Sequence, residues 1–298
     1  MIRTAVRVVI VAGLVLQATS LLAAEKTVFA SNYPLAYFAE RLAGKPEIVV
    51  QPETAGDPTD WRPSIEEILA IQQADVILLN GADYEKWART ATLPPSRVVD
   101  TSAAFKGRYL MVEGGSRHQH GPEGAHAHRA PASTTWLDLS LAAEQARAVM
   151  EALASADISE KAELQRNHEL LREDLLTLDA AFQQAAAGHN DVLLVASHPI
   201  YDYLAARYGL KIENVHWEPE VAPTEEMWAG LEELLARHPA AWMIWEGEPQ
   251  PGSVQRLQAM GLRSIVFAPG GSRPENGDFL SLMRRNLANL EKIFAGAI

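Results

Sequence analysis

The chain has 298 residues, 48% of them apolar and 21% charged, with no cysteine and a formal net charge of −12. That length suits two lobes, and the composition supplies a sizeable core and excludes wholesale disorder. The acidic balance argues against nucleic acid and anionic membrane surfaces as main partners, and the missing cysteine excludes a disulfide scaffold, thiolate metal ligation and lipid attachment at an N-terminal cysteine.

The first residues follow the plan of a secretory signal peptide. Arg3 and Arg7 precede the apolar run VVIVAGLVL, and QATSLLAA ends in small residues before Glu25. Cleavage is expected after Ala24, which would leave a chain of net charge −14. The apolar run is too short for a comfortable membrane span. A soluble protein of the periplasm, or of an equivalent exported space, is the expectation.

Residues 27–30 read as a strand, 34–42 as a helix with an apolar face, and 48–50 as another short strand. Ser64 can cap a helix through Gln73, with Glu66 and Glu67 favourable in its first turn. The run 76–79 is a buried-type strand ending at Asn80-Gly81, and Val98-Val99 makes a further one. Strands alternating with helices indicate parallel βα units. Residues 106–132, rich in Gly, His, Pro and Ser, read as a loop. Two helices are expected next, over 137–153 and 160–187. The second is about 40 Å long and reads as a rigid connector.

The βα rhythm then returns. Strands are expected at 192–196, 212–215, 242–245 and 264–267. Helices are expected after Pro199, closed by Gly209, and over 227–237, 253–260 and 277–294. The fold class is therefore α/β: two lobes, each a parallel-type sheet flanked by helices, joined by a long helix, with a ligand cleft between them. The divisions are 1–24, signal; 25–135, N-terminal lobe with a His-rich loop at 117–129; 136–188, helical segment; 189–298, C-terminal lobe. Ligands of such sheets sit at the C-terminal strand ends.

Several segments, in this order, resemble one family. ASNYPLAYFAERLAG, AGDPTDWRPSIEEILAIQQADVILLNGADYEKW, TTWLDLSLAAEQARAV and ASHPIYDYLAARYGLKI are similar to blocks of the solute-binding proteins of zinc and manganese ABC transporters. The resemblance covers essentially the whole chain after the signal segment. It implies two α/β lobes on a rigid helix, with a metal ion held by nitrogen and oxygen ligands from both lobes. It also implies a membrane permease and an ATPase as partners, a monomeric carrier, and Zn²⁺ as the first ion to test. His198 stands at the family's third ligand position. Thr59 and Thr134 stand where the pattern carries histidines, and Ala268 where an aspartate is common.

A remodelled cleft site is one expectation, using His198 with acidic or imidazole groups near strand ends: Glu246 and Glu248, His216, Glu218 and Glu220, Asp57, Asp60 and Asp83. Each carboxylate is equally ordinary as a cap or a surface charge. Trp61, Trp136, Trp217 and Trp245 lie beside the same segments, and fit either core packing or a cleft for an organic ligand or metal chelate. A third expectation places metal capture in the loop. His118, His120, His126 and His128 read H-x-H, five residues, H-x-H, a pattern suited to modest, fast-exchanging metal binding and to a chaperone role. No nucleophile elbow, P-loop or HExxH motif points to an enzyme.

Overall fold

The computed structural model describes residues 26–44, 47–50, 58–113 and 129–296. The signal segment 1–24, Asp57 and the four loop histidines His118, His120, His126 and His128 lie outside the described residues.

The first sheet is built from β1 (Thr27–Ala30), β2 (Glu47–Val50), β3 (Val76–Leu79) and β4 (Val98–Asp100), all parallel, in the order β2-β1-β3-β4. Its helices are α1 (Tyr33–Ala43) and α2 (Ile65–Gln73). Asn32 caps α1 by accepting from Leu35 N at 3.1 Å. Ser64 and Glu67 close a capping box on α2, satisfying two donors that the helix start leaves free.

Residues 106–132 are more ordered at their ends than a plain loop. β5 (Met111–Glu113) and β6 (Arg129–Pro131) pair antiparallel, Met111 opposite Pro131 and Glu113 opposite Arg129. Three-residue strands containing Arg and Pro carry no alternation that a sequence pattern could register. Val112, Ala130 and Pro131 of this ribbon line the cleft between the lobes.

The helical segment is α3 (Leu139–Ser155) followed by α4 (Lys161–Ala186). α3 begins two residues later than the pattern predicts because Asp138 caps it, accepting from Ser140 N and Leu141 N. α4 has 26 residues and packs on α1, α3 and α8 (Phe279–Ala295). Leu164, Leu171, Leu175, Leu178 and Phe182 form its buried stripe. Asp179 is buried on the same helix and accepts from Arg207 Nε and Tyr208 OH, which ties the connector to α5 (Asp202–Tyr208).

The second sheet comprises β7 (Leu193–Ala196), β8 (Lys211–Asn214), β9 (Trp242–Trp245) and β10 (Arg263–Val266), parallel and ordered β10-β9-β7-β8. α6 (Glu225–Arg237) and α7 (Pro251–Ala259) complete this lobe. From its other edge the order is second, first, third, fourth strand, the same as in the first lobe. One core cluster contains Val28 and Leu78 of the first sheet, Leu175 of the connector and Leu194 and Ile244 of the second sheet. The lobes are therefore packed into one hydrophobic body, not strung on a free hinge. Among the described residues no helix is long and apolar enough to cross a membrane.

Candidate metal centre

All four second-lobe strands end at the same edge, and the strand order decides which loops meet there. β7 lies between β9 and β8. His198 follows β7, Glu246 follows β9 and Glu218 follows β8, so the histidine is flanked by one carboxylate on each side. The ladder continues past the strands and fixes these loops: Ser197 N donates to Ile244 O and Trp217 N to Ser197 O, both at 2.8 Å. Gln250 N donates to Pro219 O at 3.1 Å, pinning the Glu218 loop to the loop after β9.

His198 Nδ1 stands 3.8 Å from Glu218 Oε1 and 3.8 Å from Glu246 Oε1. One ligand atom from each of the three residues lies within 4.8 Å of the others. Two atoms each bound to a single zinc at about 2.1 Å can be at most about 4.2 Å apart, so the histidine's two separations already fit one ion. They are too long for hydrogen bonds. His198 Nδ1 is buried and has no hydrogen-bond partner, an arrangement that costs free energy unless something fills it. One imidazole and two carboxylates suit a divalent cation of intermediate hardness, zinc included.

The three residues open on a cleft of about 240 Å³ between the lobes. The facing first-lobe wall includes Thr59, Asp83, Lys86 and Thr134. Thr134 Oγ1 donates to Ile200 O at 2.5 Å, an interlobe tether where the family pattern has a ligand. Asp83 is ion-paired with Arg89. Burial raises the pKa of Asp202, which also lines the cleft. The three convergent groups thus come from the second lobe alone, whereas the resemblance implies ligands from both.

The other expected positions fall elsewhere. Asp60 is exposed and paired with Lys86 at 2.7 Å. Glu248 and Glu220 are exposed and do not line the cleft. The His216 ring is 6.0 Å from that of His198 and lies outside the cleft lining; burial, and next the neighbouring His198, lower its pKa. Ala268 is held by Asn286 through both its backbone N–H and its carbonyl. Trp217 and Trp245 are core residues of the second lobe. Trp136 is buried and donates to Pro269 O at 2.8 Å, yet one edge reaches the cleft. Lys86, Asp202 and Trp87 were not singled out by sequence reasoning, although Lys86 and Trp87 sit in the block DYEKW.

A family model described as "Zinc-uptake complex component A periplasmic" matches residues 28–293. The chain is 27% identical over 275 residues to the zinc-binding lipoprotein AdcA of Streptococcus pneumoniae, covering 87% of this chain and 54% of that protein. It is 24% identical over 213 residues to the high-affinity zinc uptake system protein ZnuA of Bacillus subtilis, covering 69% and 66%. The chain spans about half the length of the AdcA relatives it matches. Among solved structures, Zn(II)-bound AdcA of S. pneumoniae superposes with a TM-score of 0.74 at 20% identity, over 90% of this chain and 57% of that one. The metal-dependent lipoprotein YcdH of B. subtilis gives 0.74 at 19%, over 90% and 98%.

Proposed function

From the premise that the chain belongs to the family of periplasmic A components of zinc-uptake complexes, we propose that it is an exported carrier. It binds a divalent metal ion, zinc first, at His198, Glu218 and Glu246, and passes it to an ABC permease powered by its ATPase. The observation that carries this reading is the convergence of the three ligand atoms around an unpartnered, buried imidazole nitrogen.

The chemistry follows from these side chains. A metal ligand histidine must be neutral, and the two carboxylates offset the ion's charge. Their solvent exposure differs: 16% for His198, 22% for Glu246 and 42% for Glu218. Glu218 is therefore the gate-side ligand, free to let go first when the ion leaves. A carrier needs that reversibility, and it needs no reacting group, so we read the protein as a transport component and not an enzyme.

Residues 1–24 serve as the export signal in this reading, the mature chain works as a periplasmic monomer, and the lobes divide at 25–135 and 189–298 around the helical segment 136–188. His118, His120, His126 and His128 gather metal in this reading. The test is a zinc titration against a competing chelator, on the mature chain, a deletion of 117–129 and His198→Ala. Tight binding that survives the deletion and vanishes with His198→Ala supports the carrier. Binding that vanishes with the loop alone refutes the cleft site.

A further inference from the structure

We propose that the cleft's substrate is a divalent metal ion carried inside a small aromatic carboxylate chelator. The metal sits at His198, Glu218 and Glu246, and the organic part in an adjoining pocket walled by Trp61, Arg62, Lys86 and Trp87. This rests on the metal-site reading above and extends it to the class of ligand.

The first argument is the unfinished coordination shell. Zinc in a closed site takes four ligands. The second lobe offers three, and the facing wall offers the threonines Thr59 and Thr134, with Thr134 Oγ1 donating to Ile200 O. Threonine is a poor ligand beside imidazole, so the remaining positions are left to water or to groups the ion brings with it.

The second argument is space. The cleft of about 240 Å³ holds several water-sized groups, far more than one bare ion needs. A neighbouring pocket of about 480 Å³ shares Thr59 and Lys86 with it. Thr59, at the position where the family pattern has an imidazole, and Lys86 therefore form the wall that the two cavities share. A short hydroxyl side chain leaves more room there than the larger ring would.

The third argument is the chemistry of that second pocket. Trp61 and Trp87 belong to a core cluster of the first lobe, meet edge to face at 5.4 Å and 81°, and give the pocket an aromatic side. Arg62 is exposed and has no ion pair among the described residues. Lys86 is paired with Asp60 and retains two further N–H directions. Arginine and lysine beside an aromatic wall match a ring bearing a carboxylate. With the ion's two positive charges balanced by Glu218 and Glu246, the chelator's negative charge meets Arg62 and Lys86, the latter already paired with Asp60.

The experiment is calorimetry at matched free zinc, comparing Zn²⁺ alone with Zn²⁺ plus pyridine-2-carboxylate and Zn²⁺ plus 2,3-dihydroxybenzoate. At least one chelated form should bind at least about tenfold more tightly than the bare ion. Arg62→Ala should remove that gain. Thr59→His should remove it too while strengthening binding of bare zinc. Equal affinity with and without either chelator, or a gain that persists in both variants, overturns the proposal. His198→Ala separates the two readings. If zinc binding ignores it, the metal-site reading fails and this one with it. If binding depends on His198 but neither chelator adds affinity, this inference alone fails.

Discussion

His198 is the residue on which the proposed site turns, because it is the single imidazole in the cluster and the most enclosed of the three candidate ligands. Loss of a partner one step removed from a metal costs about 10- to 100-fold in affinity, so His198→Ala should weaken zinc binding by at least about 100-fold. Glu246→Gln should weaken it less, since an amide oxygen still reaches the ion but leaves one charge unbalanced; chelator competition reads both. Glu85 sets a separate test. It is buried, accepts from Asn80 N and Gly81 N at 2.6 and 3.1 Å, and burial pushes its pKa up to about 7 from an ordinary 4.5. Between those values the folded protein keeps a proton that the unfolded chain has released. Its contribution to stability is therefore full below the lower value and falls as pH rises through the upper one. Urea midpoints should decline from about pH 5 to pH 8, and Glu85→Gln should flatten that decline. His198 and Glu246 were visible in the sequence from a strand end and a family block. Glu218 stood among several acids near strand ends, and only the order β9-β7-β8 distinguishes it from Glu220 or Glu248. That order is a long-range pairing that no local pattern encodes.

At the scale of elements, strand and helix positions were legible where short apolar runs meet strong end signals. β3 and β9 are continuous apolar runs buried along their whole length, α2 has its Ser64 capping box, and Gly209 closes α5 as expected, the structure placing it in the left-handed conformation. Gly81 has a stricter reason. It has φ +76°, and a Cβ there would fall 2.1 Å from Asp100 Oδ1, so the turn after β3 admits only glycine. The β5–β6 ribbon was missed because its pairing joins two three-residue pieces across the His-rich segment. The connector's attachment was missed as well. Arg207 reaches Asp179 of α4 and lies 3.5 Å from Asp138, the cap of α3. Removing it leaves a buried carboxylate with Tyr208 and Gln183 as its remaining side-chain hydrogen-bond partners among the described residues. Arg207→Ala should destabilise the protein by roughly 2–3 kcal/mol in denaturant unfolding, whereas an exposed pair such as Arg147–Glu151 should contribute less than about 1 kcal/mol.

Across the whole molecule, the two sheets share a strand order, and one core runs from the first sheet through α4 into the second. The cleft is bridged by Thr134 to Ile200, by Trp136 to Pro269 and by Tyr33 N to Gly271 O at 2.8 Å. Such a body closes on its ligand by small shifts of side chains and loops, not by swinging one lobe. Small-angle scattering should therefore give the same radius of gyration with and without zinc. A large contraction would show that the tethers break in solution. In the proposed site the two lobes contribute unequally: the second supplies the three candidate ligands, and the first supplies hydroxyls, a lysine and the tryptophan pocket. The measurement that tests this division most directly is zinc K-edge X-ray absorption on the chain lacking 117–129, loaded with one equivalent of Zn²⁺. The account predicts a single site with one imidazole and otherwise oxygen ligands, lost in His198→Ala. Two or more imidazoles at the metal, or no stoichiometric zinc at all, would contradict it.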